Sequence, residues 1–487
     1  MDRSWHVAIV GGGITGLATA YYLVRQREGA LLRVTLIEAD GRLGGKIRTE
    51  PFAGMAVDAG PEAFLTRMPW AVALCRELGL EGELVAPVAS KTWLWSRGRL
   101  RPLPDGLVLG VPTSMAAIVR SGILSPAGIV RAGLDLVLPR CDWPADPSVA
   151  QVIGARLGRE AVERLVEPIL GGIHAGRADR LSLMAVAPHL MMAARQYRSL
   201  IWGLRASLPP PGGGASPALL SVKGGLVRLV ERLRVALDGC DLRLSTRVTS
   251  VARQSDGRYR LACVGGPAIV ADAVVLAVPA WVAAGLLYAV TPAIAAELAA
   301  ISYASVAVVT LGYLPSAFRQ PFDGSGFLVP RVDGRLLTAC SWLTNKWPDL
   351  RRGGIIVLRC STGRLGDDRA ARLEDGELVE QIHRELVAAV GVQERPIAVQ
   401  VTRWEQMFPQ YEVGHQARVA RIEAGLAALP GLILAGDAYH GQGIAACIHD
   451  GELAATQVQA YLAGRLRAIT ADVPSSHSRG VLDYGAS

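Results

Sequence analysis

Residues 6–16 read HVAIVGGGITG, and residues 33–46 read RVTLIEADGRLGGK. His6–Val10 predicts a short buried strand. Apolar residues then recur at helical spacing from Ile14 to Gln26 (Ile14, Leu17, Ala18, Tyr21, Tyr22), and Arg33–Glu38 predicts a second strand. Strand, glycine turn, helix and strand within about 35 residues form a βαβ unit. Gly11 allows the sharp turn, Gly13 leaves room for backbone to approach a pyrophosphate, and Gly16 lets the helix pack closely on the sheet. Gly12, Ile14 and Thr15 complete a turn whose helical N–H groups face the phosphates. Glu38 stands 22 residues past Gly16, where its carboxylate accepts from ribose hydroxyls and repels a 2′-phosphate. Glycine is 54 of 487 residues, so the motif alone would say little. The strand, helix and acid around it make it a dinucleotide site.

A second glycine cluster lies at the other end of the chain. Residues 434–451 read LAGDAYHGQGIAACIHDG. Leu432–Ala435 predicts a buried strand, Gly441, Gln442 and Gly443 a turn, and Ile444 the start of a helix reaching about Leu462. The positive end of that helix would favour negative charge on a ring placed against it. The nucleotide domain is therefore discontinuous, and both ends of the chain belong to it.

Composition narrows the function classes. Apolar residues are 51% of the chain, charged residues 19%, and mean hydropathy is +0.29. The longest nearly apolar stretch, Leu181–Ala194 (LSLMAVAPHLMMAA), is broken by Pro188 and His189 and falls short of the roughly 18–20 residues of a span. A transmembrane anchor is not supported, whereas a membrane-surface contact stays open. Asp2 followed by VAIV and glycines is no signal peptide. The net charge of +8 comes from dispersed arginines rather than a basic run interleaved with aromatics, so nucleic acid is not expected. Anionic small molecules or lipids remain compatible with it. Seven cysteines without a CxxC pair indicate free thiols in a reducing compartment. His440, Cys447 and His449 match no zinc spacing, so no metal is expected, and a G-x-S-x-G elbow is absent.

Residues 97–145 are rich in Leu, Pro and Gly, and 147–206 read as mostly helical. Leu208–Ser216 (LPPPGGGAS) is the strongest linker signal. Beyond it come a helix at Lys223–Leu237, strands at Asp241–Val251 and Arg258–Val264, and a buried strand at Ala271–Val278. Strand patterns then follow at Ala304–Tyr313, Ser325–Pro330, Leu336–Ser341, Ile355–Cys360 and Ile397–Arg403, with a helix at Leu373–Val390. The expected fold class is α/β plus α+β: a discontinuous Rossmann-like nucleotide domain (1–97, 217–295 and 405–466), a mostly helical domain (98–210) and a mixed-sheet substrate domain (296–404). Residues 467–487 are expected to be a disordered tail.

Asp40–Thr49 (DGRLGGKIRT) resembles the D-x-x-x-GG-[RK] motif of amine-oxidase-like flavoproteins, with Gly44–Gly45 flanked by Arg42 and Lys46. That resemblance implies FAD as the nucleotide. A pyridine-nucleotide reductase would need a second G-x-G-x-x-G, which does not occur downstream, so an oxidase is the better reading. Glu167–Leu183 (EPILGGIHAGRADRLSL) resembles a motif of protoporphyrinogen and coproporphyrinogen oxidases. Gly60–Arg67 (GPEAFLTR), Arg198–Leu204 (RSLIWGL), Thr338–Pro348 (TACSWLTNKWP) and Arg403–His415 (RWEQMFPQYEVGH) agree with it, and the resemblance runs from about residue 5 to 465. It is greatest to the bacterial oxygen-dependent type, whose members convert coproporphyrinogen III to coproporphyrin III in haem biosynthesis, with O2 as acceptor and H2O2 released. That resemblance implies removal of a hydride equivalent from a bridging carbon and a proton from a pyrrole N–H, three times over. The implied FAD contacts are Gly11 through Gly16, Glu38, Ala39, Lys46, Gly60, Pro61, Glu62, Ala63, Val248, Trp404, Gly441, Gln442, Gly443 and Ile444.

For the substrate, Arg67 is the candidate partner of a carboxylate and His174 a candidate pocket residue; an exposed arginine and a structural histidine fit these positions equally well. No catalytic base is assigned. Two departures from the pattern stand out: Asp437 and His440 near the ring, and Met68–Pro69 where relatives often carry lysines. The resemblance further implies a cytoplasmic monomer or homodimer, with peripheral membrane contact and transient contact with the next haem-pathway enzyme left open. Protoporphyrinogen IX oxidation, a flavin amine oxidase or desaturase, and a flavin-binding protein without turnover remain alternatives. An amine oxidase is expected to cage its substrate with aromatics, which 6% aromatic content does not emphasise.

Overall fold

The computed structural model describes residues 4–25, 32–89, 91–207 and 217–471, without the side chains of 352, 353 and 468–471. The linker 208–216 and the chain beyond 471 lie outside the described residues.

Trp5–Val10 is the central strand of a five-stranded parallel sheet. Leu32–Ile37 and Ala273–Leu276 flank it, and Asp241–Arg243 and Leu432–Leu434 form the edges. Both faces are covered, which is why these strands read as unbroken apolar runs. On one face Val7, Ile9, Val34, Leu36 and Val275 pack under the helices Ile14–Arg25 and Ile444–Ala471. On the other, Ala8, Val10, Val274 and Leu276 pack against the antiparallel meander Val248–Arg253, Tyr259–Cys263, Ile269–Ala271. Strand order reverses between Trp5–Val10 and Ala273–Leu276, and ligands bind such sheets at the carboxyl ends of the strands beside the reversal. The two glycine-headed helices touch through Gly451, where a Cβ would stand 2.6 Å from the Thr15 carbonyl oxygen and 2.9 Å from Ala18 Cβ.

The second sheet has seven strands, in the order Ala398–Pro409, Tyr303–Tyr313, Ile356–Thr362, Leu337–Trp342, Gly326–Leu328, Thr92–Ser96, Arg99–Pro102. Leu378, Ile382 and Leu386 of the helix Asp375–Val390 back it. Several boundaries differ from the sequence reading. Residues 92–102 belong to this sheet, so the expected boundary at 97 falls inside it, as does the one at 404. The expected strand Asp241–Val251 is two strands in two sheets. Between them Ser245 and Thr246 donate to the carbonyls of Asp40 and Glu38, at 2.9 and 2.8 Å, so the chain turns over the end of the parallel sheet. The final helix continues to Ala471, which makes 467–471 helix rather than tail.

The helical region packs its own core, from Ile118 and Ile123 through Val152, Leu165 and Leu204. A fully buried ion pair locks it: Arg156 Nε donates to Asp135 Oδ1 at 2.6 Å. Asp135 also accepts from the Ser199 hydroxyl at 2.6 Å and from the N–H groups of Leu200 and Ile201 at 3.2 and 3.0 Å, capping the helix Leu200–Ser207. No helix among the described residues is long and apolar enough to cross a membrane.

Candidate functional site

The first half of the site is the turn between Val10 and Ile14. Gly11 has φ +108°, and a Cβ there would collide with the Ala277 carbonyl oxygen. A Cβ on Gly16 would strike the Gly11 carbonyl. Gly13 is different: a Cβ added to it meets no protein atom within 4 Å. The fold thus leaves open space at the head of the glycine helix, where unpaired N–H groups and the helix dipole favour an anion. Glu38 braces the turn, accepting from Gly12 N–H at 2.6 Å and from Asp40 N–H at 2.8 Å. Gly44 N–H donates to the Gly12 carbonyl at 2.8 Å, and a Cβ on Gly45 would stand 3.1 Å from Gly13 Cα, so the second glycine pair forms the opposite wall. Arg42 holds that wall by donating to the carbonyls of Leu43, Gly45 and Ile47 at 3.4, 2.6 and 3.2 Å. Ala39 is exposed at the rim, and Val248 is buried where the meander begins.

The second half gathers around Lys46, which pairs with Asp437 across 391 residues. Tyr411 accepts from Gly441 N–H at 2.9 Å and donates to the Asp437 carbonyl at 2.8 Å, fixing the turn before Ile444. Gln442 donates to the Pro409 carbonyl, and its Oε1 lies 2.5 Å from His174 Nδ1. That orientation of the amide makes Nδ1 the protonated nitrogen of His174. Burial lowers the His174 pKa, so the ring is neutral. His440 turns to Asp450 (3.3 Å) and Glu423 (2.8 Å); its bond to Asp450 raises its pKa against the cost of burial.

Gly60 closes the floor, its carbonyl accepting from Arg359, while Trp404 Nε1 donates to the Ala59 carbonyl at 2.9 Å. Glu62, between the half-buried Pro61 and Ala63, pairs with Lys346 and lies 3.6 Å from Arg359. Burial opposes its ionisation, but Lys346 and Arg359 outweigh it and hold the carboxyl below its usual pKa. Contacts thus join the glycine turn, the Gly44–Gly45 pair, Lys46, Gly60, Trp404 and the Gly441–Ile444 turn into one candidate cradle, with His174 held at Gln442. Arg67 stands apart, exposed, and close enough to His189 to add to the burial that lowers that histidine's pKa.

Residues 14–459 match the family of flavin containing amine oxidoreductases. The chain belongs to that family. It is 35% identical over 475 residues to coproporphyrinogen III oxidase of Bacillus subtilis (strain 168), covering 95% of this chain and 99% of the relative. The protein of the same name from Mycobacterium bovis is 36% identical over 457 residues, covering 92% of this chain and 96% of the relative. A crystal structure from Exiguobacterium sp. 255-15 superposes with a TM-score of 0.85 at 32% identity, covering 95% of this chain and all of the other.

The cradle fits a flavin dinucleotide on its own geometry. The open space at Gly13 suits a pyrophosphate, and the turn at Gly441–Gly443 heads a helix whose N-terminus suits the ring carbonyl end. Three contributors escaped the sequence reading, Tyr411, Lys346 and Arg359, while Arg42 and Asp437 were singled out there without their partners. All but Arg359 lay inside quoted motifs, but nothing in one sequence says that Lys46 meets Asp437 or that Glu62 meets Lys346. Asp437 and His440 do not leave loose polarity at the ring, because each is tied to an opposite partner.

Proposed function

We propose that the protein is an FAD-dependent oxidase that converts coproporphyrinogen III to coproporphyrin III in the cytoplasm, with O2 as acceptor and H2O2 released. One observation carries this reading. The helix Glu167–His174, which bears the porphyrinogen-oxidase motif, delivers His174 onto Gln442 in the turn at the ring end of the cradle. The names of the two relatives given above support the same substrate.

In this reading FAD lies along Gly11–Gly16, Glu38, Ala39, Lys46, Gly60–Ala63, Val248, Trp404 and Gly441–Ile444. Bound there, it supplies an acceptor for a hydride equivalent. The chain's part is positioning and shielding. The helix that starts at Ile444 turns its positive end to the ring, the Lys46–Asp437 pair fixes the turn from below, and the buried Trp404 keeps water from the floor. Aromatisation makes the overall reaction downhill, and no catalytic base is assigned. Purified protein is expected to be yellow, and acid precipitation to release all flavin into the supernatant; flavin retained in the pellet would reveal a covalent link.

Coproporphyrinogen III carries four propionates and protoporphyrinogen IX two. Arg67 is solvent-exposed, so a carboxylate contact from it is worth about 0.2–1 kcal/mol rather than the larger value of a buried pair. Arg67→Ala is expected to raise KM for coproporphyrinogen III by up to roughly fivefold, and for protoporphyrinogen IX by less. Steady-state constants on both substrates check this, and unchanged values would leave Arg67 a surface residue.

A further inference from the structure

Arg364 follows the strand Ile356–Thr362 and is 4% exposed. Its Nε and Nη2 have no hydrogen-bond partner and are closed off from solvent. The charges around it do not cancel. Arg331 lies beside it and donates to the Leu365 carbonyl at 3.0 Å, and Arg177 also faces this region, paired with Asp179 at 2.6 Å. Of the nearby acids, Asp367 pairs with Arg369 at 2.7 Å. Glu167 makes no ion pair among the described residues; burial raises its pKa, and Ala178 N–H donates to it. Burial, with Arg331 adding to it, pulls the Arg364 pKa down to about 10, which still leaves it charged at neutral pH. A buried cation whose donors lack partners is costly, and a fold retains one where a ligand completes it.

Position says which ligand. Leu365 N–H donates to the Ala175 carbonyl at 2.7 Å, and Ala175 follows His174, whose ring meets Gln442 at the flavin turn. The segment that carries Arg364 is therefore hydrogen-bonded to the one that brings His174 to the ring turn. We propose that Arg364, with Arg331 beside it, is a carboxylate site that receives a propionate of the tetrapyrrole. This rests on the porphyrinogen reading and adds a buried contact to it, separate from the exposed Arg67.

The test is equilibrium binding to the holoenzyme, followed by fluorescence, of coproporphyrin III (four carboxylates), its tetramethyl ester (none) and inorganic phosphate. Arg364→Met is expected to weaken coproporphyrin III at least tenfold, to leave the ester unchanged, and to raise or preserve the ligand-free Tm, because the unpaired charge is gone. Arg364→Lys should recover part of the affinity. If Arg364→Met loses its flavin, Arg331→Met carries the same comparison. Tight binding of coproporphyrin III to wild type with an unchanged Kd in both Met variants would overturn the site and leave the porphyrinogen reading intact. Phosphate that raises the wild-type Tm but not that of Arg364→Met, with porphyrin binding unaffected, would make this a small-anion site and also overturn the propionate assignment. A wild-type protein that binds none of the porphyrins would overturn the porphyrinogen reading itself.

Discussion

Gly13→Val is expected to yield a folded protein that purifies without flavin. The substitution is mild for the fold, because the new Cβ meets no protein atom within 4 Å and Gly13 is not among the positive-φ glycines. The same space is where a pyrophosphate must approach the helix N-terminus, and a branched side chain fills it. Displacing the phosphates by even an ångström removes several charge-assisted hydrogen bonds, so FAD affinity should fall about 100-fold or more, which is roughly 2.7 kcal/mol. The A450/A280 ratio and far-ultraviolet circular dichroism measure occupancy and fold separately. A yellow Gly13→Val protein would remove residues 11–16 from the cofactor site.

Asp135→Ala acts on stability instead. It strips the counter-ion from Arg156, whose side chain is 3% exposed, and uncaps the helix Leu200–Ser207 in one step. Breaking a buried pair from one side costs about 3–5 kcal/mol, a large share of the roughly 5–15 kcal/mol that holds a typical domain. The helical region should therefore open first, seen as early proteolysis within residues 115–207 and a lower Tm. The double variant Asp135→Leu/Arg156→Met should lose much less, because it leaves no buried charge alone. If Asp135→Ala melts like wild type, the pair is not the lock described above.

The sequence was most legible where structure is local. HVAIV, the glycine turn and the Ile14 helix sit within one βαβ unit, and their apolar runs follow directly from a sheet covered on both faces. The role of Gly441–Ile444 as the head of the last helix was equally visible. What remained hidden depends on partners far along the chain. Thr92–Pro102 looks like any short strand pair until Gly326–Leu328 lies beside it, and its membership in the second sheet is set by that pairing. Asp241–Val251 reads as one strand because no Gly or Pro interrupts it, yet the hydrogen bonds of Ser245 and Thr246 to residues 38–40 divide it. Lys46, Glu62 and Arg364 look alike in sequence as charged residues near glycines. Only the fold shows that the first two find opposite charges and the third does not.

The central claim is that the cradle oxidises a porphyrinogen, and anaerobic titration of the holoenzyme with coproporphyrinogen III tests it most directly. The flavin bands are expected to bleach as substrate is added, one flavin per electron pair, and admitting oxygen should restore the flavin colour, release peroxide and bring up the Soret band of the porphyrin. Flavin that stays oxidised through the titration, with no Soret band after oxygen is admitted, would contradict that claim.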